Sequence, residues 1–348
     1  MSSLQCDAGC DADPCWKGNT SMIETLNGQR IWQRRMRFTI AALGGVAGAA
    51  LAGGAGLGYY VADQITRPAR RSPMDELAMS PFETGADYED VTFPTARGDH
   101  MIHGWWLPRP ETDRVIIGCA GYRGNKWHLV GIGTALWRAG FNVLLFDYYG
   151  HGADVGRRIS LGYHEVNDFL AALDYAEGRI PDARIGVIGF SMGAAIAIMG
   201  VALRKEVRAL VADSPFTRHA DVIADNVRSV LHLPGKPVAW LADYFLPRVA
   251  GYHNADVAPI NSIAGVAPRP LLLIHGSADQ TIPPYHAYDN FAAAQEPKDL
   301  WIGEGAIHCG TYFLDRPAYC ERVTRFFEDA IGPSQRAAED QPALSESA

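Results

Sequence analysis

The five residues Gly189-Phe190-Ser191-Met192-Gly193 constrain the fold of this chain more than any others, because of what flanks them. The run before them, Arg184-Ile185-Gly186-Val187-Ile188, reads as a buried strand, and the run from Ala194 to Leu203 reads as a buried helix. A strand that passes into a helix within so few residues forces the intervening serine into a strained backbone conformation. Its neighbours must then lack bulk, and Gly189 and Gly193 meet that need. The serine hydroxyl stands exposed above the sheet. The helix N-terminus beneath it favours developing negative charge.

Short apolar runs alternate with helical stretches on both sides of this turn, the pattern of a mostly parallel sheet flanked by helices. The pattern predicts strands over 88–93, 102–107, 115–117, 143–146, 185–188, 209–211, 271–274 and 300–302. It predicts helices over 126–139, 163–177, 192–204, 285–294 and 317–330. The fold class is α/β, with eight strands. No internal repeat is visible. Residues 85–332 are about the size of one such domain. The formal net charge of −8 leaves no basic footprint for nucleic acid. Trp105 and Trp106 are adjacent on a strand and point to opposite faces, so one of them belongs to the core.

A serine hydroxyl that attacks a carbonyl needs a base, and the base needs an acid to orient it. Downstream, Pro270-Leu271-Leu272-Leu273-Ile274-His275-Gly276 reads as a strand ending in a turn, and Asp279 follows it. Beyond the short strand Leu300-Trp301-Ile302 lies a glycine-rich loop, Gly303 to Gly310, carrying His308. Both groups fall just past strand ends, where sheets of this kind collect functional side chains.

Four segments in this order resemble the α/β-hydrolases: Gly118-Cys119-Ala120-Gly121-Tyr122-Arg123-Gly124-Asn125, Phe146-Asp147-Tyr148-Tyr149-Gly150-His151-Gly152, the pentapeptide as a nucleophile elbow, and His275-Gly276-Ser277-Ala278-Asp279. The resemblance covers roughly Tyr88 to Phe327. It implies that Ser191 is the nucleophile, Asp279 the acid and His308 the base, with an oxyanion hole from the Met192 and Tyr122 backbone N–H groups. Where the family often has His-Gly at the oxyanion loop, this chain has Ala120-Gly121, which leaves a main-chain donor intact. After Gly152 it reads Ala-Asp where relatives often carry a serine. Asp213, in Val211-Ala212-Asp213-Ser214-Pro215, also ends a strand, and some members place the acid there. Asp147 and His151 are expected to shape a loop. The implied reaction is hydrolysis of a small-molecule ester or thioester through an acyl-enzyme, with neither metal nor organic cofactor. A serine peptidase of the same fold and a non-catalytic, partner-binding member are the alternatives.

The stretch 215–263 is longer than a plain crossover needs and predicts a small helical cap. Val222–Leu231 has helical apolar spacing, and Val238–Leu246 is aromatic-rich. Under that reading Phe216, Trp240, Tyr244, Phe245 and Leu246 line an apolar acyl pocket, and the substrates are apolar or lipid-like.

Before the hydrolase-like region, residues 1–37 form a polar leader, and 38–62 are 25 residues without one charge. As a helix this run would be about 38 Å long, enough to span a hydrocarbon core of about 30 Å with tilt. Small residues at Gly44, Gly48, Ala52 and Gly56 fall four apart and would allow close pairing of two such helices in a membrane, giving a homodimer. Tyr59 and Tyr60 suit an interface with membrane lipid. The expectation is a single-pass anchor. Four arginines lead it (30, 34, 35, 37) and three trail it (67, 70, 71), a slight lean toward a catalytic body on the extracytoplasmic side. A cleaved export signal starting at Met36 and a soluble Gly/Ala tract are the alternatives. Residues 63–84 then read as a linker and 333–348 as a disordered acidic tail. Cys6, Cys10 and Cys15 lack a fourth partner for a metal. Cys119 and Cys309 read as buried free thiols, with a disulfide between them as the alternative, and Cys320 as packed on the last helix.

Overall fold

The computed structural model describes residues 34, 36–37, 51–68, 79–95, 98–152 and 157–335. The chain divides into two compact units, Met1–Gly56 and Leu57–Ala348. In the first, the described residues are helical. Most of the expected membrane run, 38–50, lies outside the described residues, as do Gly44 and Gly48, the N-terminal cysteines and 336–348 of the tail.

The second unit is built on β1 (Glu89–Pro94), β2 (Met101–Leu107), β3 (Arg114–Cys119), β4 (Asn142–Phe146), β5 (Arg184–Phe190), β6 (Val207–Asp213), β7 (Leu271–Gly276) and β8 (Lys298–Gly303). They form one sheet in the order β1-β2-β4-β3-β5-β6-β7-β8. Two antiparallel pairings join β1 to β2 and β2 to β4, and every pairing from β4 through β3 to β8 is parallel. The eight expected strands are all present, most of them longer by a residue or two at their ends.

Strands covered on both faces must be apolar throughout. In β7, Leu271 and Leu273 enter one core while Leu272 and Ile274 enter the other. The first core is closed by α2 (Glu165–Arg179) and α3 (Met192–Leu203), and the second by α1 (Val130–Arg138) and α7 (Arg316–Ile331). Trp106 is in the first core. Trp105 packs only partly and donates from Nε1 to Asp90.

Between β6 and β7 the chain makes a helical excursion through α4 (His219–Asn226), a π-helical turn (Val227–Leu231) and α5 (Gly235–Val249); α6 (Tyr285–Ala293) follows β7. The excursion is helical as expected, but its aromatics do not line the cavity beside Ser191 and His308. Beyond Gly235 at its start, the buried residues of α5 are Val238, Ala239, Ala242 and Leu246, an i, i+1, i+4, i+8 stripe. Trp240 and Tyr244 fall on the other face and are 72% and 59% exposed. Phe216 and Leu246 are buried in a satellite core with Ala195 and Met199 of α3, and Phe245 packs partly against it.

That satellite core also contains Val61 and Ala62. Residues 57–66, expected as the end of an anchor and the start of a linker, are helical and seated on the hydrolase body. Gly58 sits so close to α5 that a Cβ there would lie 2.8 Å from the Leu241 carbonyl. Tyr59 meets Phe245 edge-on at 5.9 Å.

Candidate active site

The turn from β5 into α3 holds Ser191 at φ 53°, ψ −117°. Its backbone N–H donates to the Asp213 carbonyl at 2.7 Å, so the neighbouring strand pins the strained residue. A side chain at Gly193 would overlap the Cys119 and Ala120 carbonyls, and one at Gly189 would meet the first turn of α3. The two glycines let the helix start directly against the end of β3. Met192 opens α3, so its N–H is among the donors with no intrahelical acceptor.

Two loops bring the other groups over this serine. His308 Nε2 lies 2.8 Å from Ser191 Oγ, and His308 Nδ1 lies 2.7 Å from Asp279 Oδ2. An ionised carboxylate only accepts, so Nδ1 carries the proton and Nε2 offers its lone pair to the serine hydroxyl. The Asp279 side chain is fully buried, and His308 is 23% exposed. The other carboxylate oxygen of Asp279 accepts from the Thr281 and Ile282 N–H groups at 2.9 Å each. Charge-assisted bonds of this kind hold the group in one orientation.

His275, at the end of β7, is a contributor that the sequence reading left unassigned. Its Nε2 lies 2.8 Å from the Ile282 carbonyl and 3.4 Å from Asp279 Oδ2. Burial pushes its pKa down, so a neutral ring closes the Asp279 turn from behind. The His-Gly-x-x-Asp spacing, with the two side chains four residues apart, was the available signal.

Asp213 does not reach His308. It is buried, and its carboxylate takes the Tyr319 hydroxyl at 2.8 Å and the Ser214 hydroxyl at 2.9 Å. Burial raises its pKa to about 6. The Ser214 hydroxyl in turn accepts the Cys309 N–H at 3.2 Å, so Asp213 braces the loop that carries His308. Asp147 ties two loops together by taking the Lys126 N–H at 2.7 Å and the Lys126 ammonium at 2.6 Å. His151 is buried beside it.

Cys119, Cys309 and Cys320 are free. Burial raises the Cys119 pKa to about 12 and pushes that of Cys309 well up, so both stay thiols and neither competes with the serine.

Ser191 and His308 open into a cavity of about 310 Å³. Its apolar walls are Leu129, Ile132, Phe190, Tyr312 and Phe313, and Tyr122 of the loop after β3 also lines it. None of Phe216, Trp240, Tyr244, Phe245 and Leu246 lines this cavity, which corrects the expected pocket. The wall residues come instead from the helical stretch that follows the loop after β3, from within the pentapeptide and from the turn after His308. They were legible only as neighbours of the reactive groups.

Sheet order, a serine on the tight strand-to-helix turn and a hydrogen-bonded Ser–His–Asp line define an α/β-hydrolase. The family described as serine aminopeptidase, S33, matches residues 110–262, a span that holds Ser191 but ends before Asp279 and His308. The uncharacterized protein YfhR of Escherichia coli O157:H7 is 32% identical over 259 residues, 70% of this chain and 82% of that protein. The chain belongs to this family of α/β-hydrolases. The uncharacterized protein YqkD of Bacillus subtilis is 28% identical over 253 residues, 71% of this chain and 82% of its own length. Among solved structures, the Pyrococcus furiosus esterase Pf2001 superposes with a TM-score of 0.64 at 26% identity, covering 77% of this chain and 99% of the esterase.

Proposed function

We propose that this protein is a serine hydrolase that cleaves carboxylic esters or thioesters of small to medium acyl groups through an acyl-enzyme. The observation that carries the reading is the continuous line Asp279–His308–Ser191 opening into an apolar cavity. His308 Nε2 takes the hydroxyl proton as Ser191 Oγ attacks the carbonyl carbon. Asp279 stabilises the imidazolium that forms. The tetrahedral oxyanion is held by the Met192 and Tyr122 N–H groups, aided by the N-terminus of α3. His308 returns the proton to the leaving alcohol or thiol. Water, deprotonated by the same imidazole, then cleaves the acyl-enzyme. The esterase likeness supports ester chemistry.

Cavity size sets the substrate class. At about 310 Å³ the cavity falls at the small end of the ~300–1,000 Å³ range of small-molecule sites, which suits a short to medium acyl chain. Phe313 stands at the mouth and is 66% exposed, so its truncation has little structural cost. Phe313→Ala is expected to lower kcat/KM for an octanoate ester about tenfold and leave an acetate ester unchanged, since apolar pocket contacts are worth about 1–3 kcal/mol. Trp240→Ala, outside the cavity, should change neither value.

An aminopeptidase reading is favoured by the family match alone. Capture of a substrate's α-ammonium calls for a carboxylate near the nucleophile, and none of the described residues lining the cavity is Asp or Glu. A panel of p-nitrophenyl esters beside aminoacyl p-nitroanilides tests the two. Turnover of the esters alone is expected, and preferential turnover of the anilides would reverse the assignment.

We also propose that the uncharged run attaches the protein to a membrane. Among the described residues no helix is long and apolar enough to cross one. With 57–62 seated on the body, the lipid contact falls to 38–56, 19 residues or about 28 Å as a helix. Removing residues 1–56 is expected to release an active, folded hydrolase from carbonate-washed membranes. Removing 1–66 also strips Val61 and Ala62 from the satellite core and Asp63 from Arg158, and should lower the melting temperature by several degrees. Recovery of the full chain in the soluble fraction would contradict the attachment. Equal melting of the two truncations would contradict the docking.

A further inference from the structure

Residues 57–66 end where the oxyanion loop begins its turn. The last carbonyls of a helix have no intrahelical donor. Here two of them are met by side chains of the loop: the Tyr122 hydroxyl donates to the Ile65 carbonyl at 2.9 Å, and an Arg123 Nη2–H donates to the Gln64 carbonyl at 3.0 Å. A guanidinium at a helix C-terminus also complements the helix dipole. The loop needs such support. Arg123 sits at φ 57°, a left-handed conformation unfavourable for a residue with a side chain, in a tight turn closed by the Gly124 N–H on the Gly121 carbonyl at 2.9 Å. Gly121 runs beside the nucleophile, so that a Cβ on it would lie 3.3 Å from the Ser191 Cβ. A shift of this turn therefore moves the Tyr122 N–H relative to Ser191.

The helix end that bears these carbonyls is itself clamped. Asp63 is held by Arg158 at 2.9 Å and by Arg67 at 2.6 Å, Arg158 also donates to the Thr66 hydroxyl at 3.0 Å, and the Ile159 N–H donates to the Thr66 carbonyl at 2.9 Å. Val61, Ala62, Asp63 and Thr66 are buried. Ties thus run from the 158–159 loop through the helix end to the oxyanion loop.

We infer that the segment 57–67 positions the oxyanion hole, with the Tyr122 hydroxyl and the Arg158 guanidinium as positioning groups that act through it. The inference rests on the proposed role of the Tyr122 N–H as an oxyanion donor. It makes the residues that follow the uncharged run a working part of the hydrolase rather than a spacer.

The test compares the full chain with Tyr122→Phe, Arg158→Gln and the double variant, below their melting temperatures. The readouts are kcat and KM on a short p-nitrophenyl ester and the inhibition constant of a trifluoromethyl ketone, whose adduct with the serine carries the tetrahedral oxyanion. Each single variant is expected to lose about tenfold in kcat, with KM within about twofold and ketone affinity falling in parallel with kcat. Because both ties act through one segment, the double variant should be no worse than the weaker single variant. Unchanged ketone affinity, or losses that multiply in the double variant, would overturn the inference while leaving the hydrolase reading standing. A wild-type chain that neither turns over esters nor binds the ketone would overturn both.

Discussion

Replacing Ser191 with alanine is expected to lower ester turnover by on the order of 10⁶-fold and to leave the melting curve unchanged. The size follows from the loss of a triad nucleophile, which costs about that much in kcat in a well-studied serine protease. The specificity of the effect follows from the geometry. The strain at Ser191 belongs to its backbone, pinned through the N–H to Asp213, and alanine keeps the same Cβ. The side-chain hydroxyl bonds to His308 Nε2. Removing it therefore takes away the attacking atom and little else. Steady-state turnover of an acetate ester, with thermal melts on the same preparations, checks this. Substantial turnover by a normally melting variant would remove Ser191 from the nucleophile position.

Asp279→Asn is expected to cost roughly 10⁴ in kcat, the size found when the acid of a comparable triad is made neutral. Asparagine cannot hold the Nδ1-protonated tautomer of His308, because its amide group would present a donor to a donor. Asp213→Asn should change kcat far less, since Asp213 braces the loop through Ser214 and Tyr319 and does not touch the imidazole. The two differ in a second readout. Burial raises the Asp213 pKa from 3.8 to about 6, so the folded protein binds an extra proton between those values. Stability from this group is then present at low pH, falls as pH rises through that window, and stays at the lower level above it. Asparagine escapes that loss. The melting temperature of Asp213→Asn relative to wild type should therefore rise between pH 4 and pH 7. A greater kcat loss at Asp213 than at Asp279 would move the acid to β6.

The sheet and the reactive groups were legible because their physics is local. Strands such as Leu271–Ile274 are continuous apolar runs bounded by turn residues, and the elbow needs two glycines at fixed places around one serine. The walls of the cavity were not legible, because Leu129, Ile132, Tyr312 and Phe313 look like ordinary core residues until the loops converge. The aromatic stretch of α5 misled for a related reason. Composition flagged Trp240 and Tyr244, but the buried stripe Val238–Ala239–Ala242–Leu246 turns them away from the core. Residues 57–66 were hidden differently. They close an uncharged run at residue 62 and carry on past it, and nothing in their own pattern says that the Ile65 and Gln64 carbonyls meet side chains more than 50 positions away.

The most direct measurement of the proposed chemistry is the intact mass of the full chain after exposure to a fluorophosphonate, followed by peptide mapping. The expected result is one adduct per chain, on Ser191, formed at a rate that drops by orders of magnitude in His308→Ala. No adduct on Ser191 in a preparation that hydrolyses esters would contradict a serine acyl-enzyme mechanism at this site.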